Sequence, residues 1–445
     1  MENKKNQRNN RNSRIKKNKK LKKTNNLKNN ILFLFIFFLF IFILYFIFIN
    51  FFINKNNINI SKNINNNYNN ISENILENTT SQNSDLKNEL NEKNNKNQEP
   101  ITFTMTAIGD TLCHNTQYWD AYNKATDEYD FSYVYDEIRD YTKYSDITIG
   151  NLETTFAGKE RGYSNYPTFN SPDSLASALK GIGLDVISLA GNHALDYGYS
   201  GLCRTIDVFD NVGIDHLGTY KTQEEQKEIL IKNVKGVNIA FINYTYGTNG
   251  IPVPSGKDYC INLIDKDLIK KQINQAKEKN VDMIVACMHW GTEYRTTAND
   301  EQKELADFLF QNGVDIILGN HPHVLEPMEK RNITLEDGTE KEVFVVYALG
   351  NFTADQRDEI TRDSAILNLN ITKKSDGKLK INKVDYIPIY MYKNPNVSIR
   401  KFKILDLQRT IYNYESGANT SIGQTTYNNL KVQLNKIKSI LGNIE

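Results

Sequence analysis

A layered α/β domain, carried behind a membrane-spanning segment and a polar tether, is the fold class this 445-residue sequence predicts. Three observations predict it. Nineteen consecutive Ile, Leu, Phe and Tyr residues fill positions 31–49. An Asn-rich stretch with no hydrophobic period follows to residue 100. From residue 101, short β-rich runs ending in Gly, Asn or His alternate with amphipathic helical patterns.

Residues 1–30 carry twelve Lys/Arg against one acid, whereas the remaining chain carries forty-two against fifty-two. The overall charge of +1 thus hides a basic tail and an acidic remainder of about −10. A nucleic-acid role does not fit, because the only basic region is this short Asn/Lys tail. The run 31–53 has the length of a spanning helix, roughly 20 apolar residues, and no polar face that a buried core helix would show. Lysines 16–23 on its N-terminal side put residues 1–30 in the cytoplasm and the rest outside the cell. No small-residue cleavage site follows, so the run reads as an uncleaved signal anchor of a single-pass membrane protein. Residues 54–100 hold eighteen Asn and only nine Ile, Leu or Tyr, too little apolar surface to offset the entropy of ordering, and read as a disordered linker.

The main domain is expected over 101–390. Residues 101–108 alternate apolar and polar and run into Gly109-Asp110; similar runs end at Gly150-Asn151, Gly191-Asn192, His289, Gly319-Asn320 and Gly350-Asn351. Helices are expected after the Ser171-Pro172 pair, over 265–279, and over 301–310, where Leu305, Phe308 and Leu309 share a face before Gly313. Residues 343–348, 365–371 and 379–387 read as strands closing the sheets with antiparallel members. The final segment, 391–445, reads as an extension with one helix over 427–441. Four widely spaced cysteines, Cys113, Cys203, Cys260 and Cys287, form no metal-type pair and are read as free buried thiols.

In layered α/β domains ligands collect at the carboxyl ends of strands, and the chemistry-bearing residues collect there too. Of six histidines, five (His114, His193, His289, His321 and His323) fall in these strand-end segments. The pair His321-Pro322-His323 lets two imidazoles reach a common centre. A two-metal site needs a bridging carboxylate and a mixed His, Asp and Asn shell. Asp110 and Glu153 are the candidate carboxylates, Asn192 an amide ligand, and His289, His321 and His323 the imidazoles. One or two divalent ions, with manganese, iron or zinc all compatible, would lower the pKa of a bound water toward about 7. His193, oriented by Asp196, is the candidate proton donor to a leaving group. Trp290, Glu293 and Asn351 are candidate substrate contacts, although Trp290 also suits a packing role and Asn351 a turn. Outer supporting residues are His114, Asn151 and Asn320. Arg161 and Arg357 are available to receive a carboxylate or phosphate.

As a set, Gly109-Asp110, Gly150-Asn151-Leu152-Glu153, Gly191-Asn192-His193 with Asp196 and Gly198, His289-Trp290-Gly291 with Glu293-Tyr294, Gly319-Asn320-His321-Pro322-His323 and Leu349-Gly350-Asn351-Phe352 resemble the poly-γ-glutamate capsule-synthesis protein family of the CapA type. The resemblance covers roughly residues 103–390. That family is in turn similar to calcineurin-like metallophosphoesterases, which implies a two-sheet α/β sandwich with a dinuclear site at the strand ends. It also implies a membrane-anchored extracellular domain serving assembly, export or anchoring of poly-γ-glutamate or another anionic surface polymer, with a polymer ligase and small membrane subunits as companions. Two departures stand out. Asp110 is followed by Thr111, Leu112, Cys113 and only then His114, where the phosphoesterases carry D-x-H, and Glu153 stands where they place an Asp. A dinuclear site, a mononuclear site and an ion that merely holds carboxylates all remain open. So do three functions: a capsule-synthesis protein with a hydrolase-like site, a general extracellular metallophosphoesterase, and a non-catalytic polymer-binding module.

Overall fold

Apolar residues alternate sides along nearly every strand of the domain, and the alternation is what stacks its two sheets. The computed structural model describes residues 99–418 and 422–442. The expected basic tail, membrane anchor and almost all of the linker lie outside the described residues. Among the described residues no helix is long and apolar enough to cross a membrane.

In chain order the strands are β1 (Ile101–Thr111), a short hairpin β2 (Tyr122–Asn123) and β3 (Glu128–Tyr129), β4 (Ile147–Leu152), β5 (Val186–Ser188), β6 (Asp215–Leu217), β7 (Leu230–Val234) and β8 (Val237–Thr245). They continue with β9 (Met283–His289), β10 (Ile316–Asn320), β11 (Met328–Thr334), β12 (Glu340–Val346), β13 (Asn351–Thr353), β14 (Asp363–Lys373), β15 (Leu379–Lys393) and β16 (Phe402–Asp406). The first sheet runs β16-β15-β14-β1-β4-β5-β6, with β13 pairing β1; the second runs β11-β12-β10-β9-β8-β7. Strands β1, β4, β5 and β6 are parallel neighbours, as are β8, β9, β10 and β12.

The inner faces meet in one core. Phe103 and Met105 of β1 and Ile149 of β4 join Val285 of β9, Leu318 of β10 and Phe344 of β12, all buried. Each such side chain contributes roughly 1.5–3 kcal/mol relative to exposure. The residues between them point outward: Ile284, Ala286 and Met288 pack under helices Lys266–Glu278 and Asp300–Gln311. On the far face of the first sheet, Ile187 and Ile366 pack with helices Ser174–Gly181 and Gly198–Val212. The result is helix, sheet, sheet, helix, the two-sheet α/β sandwich that was expected.

One device recurs at the N-terminal ends of four parallel strands. Asp146, Asp185, Asp282 and Asp315 each sit just before β4, β5, β9 and β10. Their Oδ2 atoms accept the backbone N–H of Thr104, Thr148, Asn238 and Ile284 on the neighbouring strand at 2.8, 2.9, 2.9 and 2.8 Å. Each carboxylate thereby satisfies a donor at the sheet end and sets the stagger of its strand.

Several local expectations are revised. The helix expected from Ser171-Pro172 begins at Ser174, and Ser171 is a buried partner of the Thr154 hydroxyl at 2.7 Å. β5 ends at Ser188, so Gly191-Asn192-His193 lies in the turn beyond it, and Asn351 opens β13 instead of ending a strand. Residues 343–348 contribute to β12, which is antiparallel to β11 as foreseen but parallel to β10 on its other edge; β14 and β15 are antiparallel members as expected. Helix Gly198–Val212 was not foreseen, because its glycines at 198 and 201 mask the apolar face of Leu202, Ile206 and Phe209. The extension at 391–445 is continuous with the domain: β15 crosses residues 390–391, β16 extends the sheet, and Leu430, Ile437 and Leu441 of helix Gln424–Leu441 complete the inner core. All four cysteines are free; Cys113, Cys260 and Cys287 are buried and Cys203 is half-buried.

Candidate metal centre

Both sheets point their strand C-termini at one place, and they bring different donors. β1, the position just after β4 and the turn after β5 supply Asp110, Glu153 and Asn192. β9 and the turn after β10 supply His289, His321 and His323. The approach is close: a Cβ on Gly109 would lie 2.0 Å from the Gly350 carbonyl oxygen, and one on Gly319 would lie 1.8 Å from that of Tyr347. Only glycine admits these contacts.

Six predicted metal residues converge, all buried. Five of them form two groups whose ligand atoms lie within 4.8 Å of one another: Glu153 with His289 and His321, and Asp110 with Glu153 and His323. Glu153 belongs to both. Its Oε1 is 3.5 Å from His289 Nε2 and 3.8 Å from His321 Nδ1, and its Oε2 is 3.5 Å from His323 Nδ1, which lies 3.9 Å from Asp110 Oδ2. None of the Glu153 approaches is a hydrogen bond, and both its oxygens and His321 Nδ1 are buried without a partner. Buried polar atoms left this way are costly unless something else satisfies them. The spacing and the donor set, carboxylate plus imidazole plus amide oxygen, fit divalent cations bonded at about 2.0–2.2 Å.

Neighbouring residues fix the donors. Asp110, Asn151 and Ser188 are in register across β1, β4 and β5. The Ser188 hydroxyl donates to Asn151 Oδ1 at 2.7 Å and Asn151 Nδ2 donates to Asp110 Oδ1 at 2.8 Å. The His321 backbone N–H donates to Asp110 Oδ2 at 3.1 Å. His321 and His323 hold φ of 101° and 62°, the left-handed side that L-residues avoid, so the His-Pro-His turn is strained into its inward pose. Asn351 Oδ1 meets His323 Nδ1 at 3.1 Å, while its Nδ2 donates to the Thr361 carbonyl at 2.9 Å. Asn351 therefore orients a ligand; it is not placed as a substrate contact. Asn192 Oδ1 faces His289 Nε2 at 2.9 Å, and its Nδ2 donates to Asn249 Oδ1 at 3.2 Å.

Burial raises the Asp110 carboxyl well above the usual range, and the charge of Glu153 adds to this. Burial opposes the ionised form of Glu153 as well, but His323 and His289 outweigh it and hold this carboxyl well below the usual range. Burial lowers His289 to about 4, leaving a neutral imidazole whose lone pair is available to a cation.

The remaining predicted residues divide. His193 Nδ1 lies 2.8 Å from Asp196 Oδ2, which also accepts the Phe169 N–H at 2.7 Å. Burial disfavours the His193 imidazolium, yet the hydrogen bond and charge of Asp196 prevail and raise its pKa. His193 and His323 line a cleft of about 700 Å³, together with Glu293, Tyr294, His114 and Arg357. His114 is not a ligand: its Nδ1 accepts the Asp355 N–H at 3.1 Å, and burial lowers its pKa to about 4. Trp290 is buried, donates from Nε1 to the Tyr347 carbonyl at 2.9 Å and packs on the Tyr347 ring, so its role is structural on the cleft side. Asn320 aligns with His289 across β10 and β9, and its carbonyl receives the Trp290 N–H at 3.1 Å. Arg161 is tied instead to Ser200 Oγ at 2.8 Å and to the Tyr197 carbonyl. Tyr246 and Asn249, which were not singled out, sit beside His321 and His193 after β8. Their segment, with Gly247 and Asn249-Gly250 following a β run, carries the same strand-end signature as the others.

Residues 104–356 match the family model described as bacterial capsule synthesis protein PGA_cap. The chain is 29% identical over 295 residues to the capsule biosynthesis protein CapA of Bacillus anthracis, covering 64% of this chain and 68% of that one. It is 30% identical over 272 residues to the PGA biosynthesis protein CapA of Bacillus subtilis (strain 168), covering 59% and 67%. Among solved structures, a 5'-nucleotidase precursor from Thermus thermophilus aligns with a TM-score of 0.37 and 14% identity over 64% of this chain; the match spans about half, 54%, of that protein.

Proposed function

We propose a function for this chain, which belongs to the bacterial capsule synthesis protein PGA_cap family: it takes part in making a poly-γ-glutamate or related anionic surface polymer, and its strand-end centre is a metal-dependent hydrolytic site. The polymer role rests on the relatives named as capsule and PGA biosynthesis proteins. The hydrolytic reading rests on one observation, Glu153, whose two buried oxygens lack hydrogen-bond partners and serve two ligand groups at once.

Glu153, Asp110, Asn192, His289, His321 and His323 would hold the ions. Divalent cations bound there would supply Lewis-acid polarisation and a water of lowered pKa. The chain's own residues supply the rest. Asn151 and the His321 N–H hold Asp110 in place, and Asn351 orients His323. Asp196 grips His193 at Nδ1, which turns the opposite nitrogen, in the cleft, into the proton donor for the departing group. In the same reading the apolar run at 31–53 anchors the domain to the cell membrane with residues 1–30 in the cytoplasm and the domain outside. Polymer ligase and membrane subunits are the partners this placement calls for.

The test is turnover of phosphoester and γ-glutamyl substrates by the purified chain loaded with manganese, iron or zinc, alongside His193→Ala. Hydrolysis reduced roughly 10²- to 10⁴-fold in the variant is expected. A metal-loaded protein that hydrolyses neither class would leave only a binding role.

A further inference from the structure

The cleft beside the centre, about 700 Å³, has the size of pockets that enclose small ligands, and the buried His193 and His323 form part of its wall. Its remaining walls carry chemistry that the centre does not use. Tyr166 and Tyr294 line it with side chains that are 74% and 46% exposed, so their rings are open to a ligand.

The acids and bases of the lining are Glu293, Asp355, Asp358 and Arg357, with no lysine among them. Asp355 is already engaged: Lys393 Nζ lies 2.6 Å and Arg362 3.5 Å from its oxygens, and the Thr116 hydroxyl donates to it at 2.6 Å. Glu293 and Asp358 are exposed and make no ion pair among the described residues. His114 adds no positive charge, since burial lowers its pKa to about 4, and any charge on His193 is matched by Asp196 at 2.8 Å. The two free carboxylates act on one place, although Glu293 follows β9 and Asp358 follows β13. Burial, the charge and hydrogen bond of Glu293, and the charges of Glu153 and Asp358 together push the Tyr294 phenol up to about 12.

Unpaired carboxylates beside open ring faces attract an ammonium group and repel a row of carboxylates. The centre, once it holds divalent ions, attracts the opposite charge, and Arg357 is the one cation of the lining that can assist it. A ligand that suits both is a zwitterion. We propose that this cleft is an ammonium-binding subsite: it receives the positive end of a zwitterionic ligand whose anionic group faces the metal centre. Glu293 and Asp358 supply the charge, and Tyr166 and Tyr294 the ring faces. The proposal deepens the reading above by naming the substrate class, and rests on that reading for the anionic half alone. Two sources carry this chemistry. One is a phosphoester of an amino alcohol; the other is the amino end of a γ-glutamyl chain, where an α-ammonium and an α-carboxylate share one carbon.

The test is calorimetric binding of two matched pairs to the metal-loaded full-length chain. Phosphocholine is set against 3,3-dimethylbutyl phosphate, which has the same shape without the positive charge, and γ-glutamylglutamate against its N-acetyl derivative. Wild type should prefer the ammonium member of at least one pair by about tenfold. Glu293→Gln combined with Asp358→Asn should bring that ratio down to about twofold, and Tyr166→Leu should lower it roughly threefold. All three positions are exposed, so the variants are expected to fold. A preference in the first pair alone assigns the phosphoester and one in the second alone the γ-glutamyl end; either supports the subsite. No preference in either pair, or a preference that survives the loss of both carboxylates, overturns it. A preference of the expected size with no cleavage of any of these compounds supports the subsite and removes the hydrolytic reading instead.

Discussion

The same residue type does opposite work at the two ends of these sheets. At the N-terminal ends, Asp146, Asp185, Asp282 and Asp315 each accept a neighbouring strand's N–H at 2.8–2.9 Å, and Asp315 also pairs with Lys341 at 3.0 Å. At the C-terminal ends, Asp110 and Glu153 are fully buried, stand close enough to repel each other, and leave both Glu153 oxygens without a partner. The four lead-in carboxylates are satisfied by the neighbouring strand, and Asp110 is held by Asn151 and the His321 N–H, whereas Glu153 alone of this set has neither oxygen hydrogen-bonded. Glu153 is therefore the carboxylate at which the two ends of the sheets differ most. The two sheets also differ in kind, the first giving carboxylates and an amide and the second giving imidazoles, so the centre exists only where they are packed together.

The contrast can be broken most sharply at the C-terminal ends. Asp110→Ala or His321→Ala should weaken metal binding by at least ~100-fold, while the apo protein unfolds at an unchanged or higher temperature, because a repelling or strained group has gone; calorimetric metal titration and thermal unfolding measure the two sides. A smaller loss, roughly 10- to 100-fold in metal affinity, is expected for Asn351→Ala, which frees the His323 ring without removing a ligand. Asp315→Ala should do the reverse: about 1–3 kcal/mol of stability lost by denaturant unfolding, from the orphaned Ile284 N–H and the unpaired Lys341, with metal content normal.

The mildest test concerns Glu326, which is buried behind the centre with one oxygen bonded to Gln302 Nε2 at 2.6 Å and the other unpartnered. Burial raises its pKa from 4.5 to about 7. The folded state therefore holds this proton more tightly than the unfolded state. Its contribution to stability is fully present below about pH 4.5 and is lost as pH rises through about 7. Glu326→Gln should remove that loss, making the variant more stable than wild type at pH 8 by on the order of 1–3 kcal/mol and little different at pH 4. Chemical denaturation at the two pH values measures it.

Much of the centre was legible because strand ends have a local signature. A β-rich run stopped by Gly-Asp, Gly-Asn or His is visible without knowing which strand it pairs with, and five such ends carry all six metal residues named from the sequence. Pairing was not legible in the same way. Nothing local marks β12 as a parallel partner of β10, because a run buried on both faces reads alike in either orientation. Nor does a run tell which sheet it enters, so the division into carboxylate and imidazole sheets had no sequence trace. Trp290 beside His289 looked like a substrate contact, yet the period of two turns it to the outer face of β9's sheet, against Tyr347. The Asp lead-ins were in plain view, since Asp146, Asp185, Asp282 and Asp315 each precede an apolar run, but their shared role emerges only from the stagger of adjacent strands. Tyr246 and Asn249 were missed for a simpler reason: their strand end carries no His, Asp or Glu to mark it.

The most direct measurement is the metal stoichiometry, by elemental analysis, of the purified chain and of Glu153→Gln after reconstitution with manganese, iron or zinc. A carboxylate shared by two ligand groups predicts about two equivalents in wild type and the loss of both in the variant. A Glu153→Gln protein that keeps two equivalents, or a wild-type protein that takes up none, would contradict it.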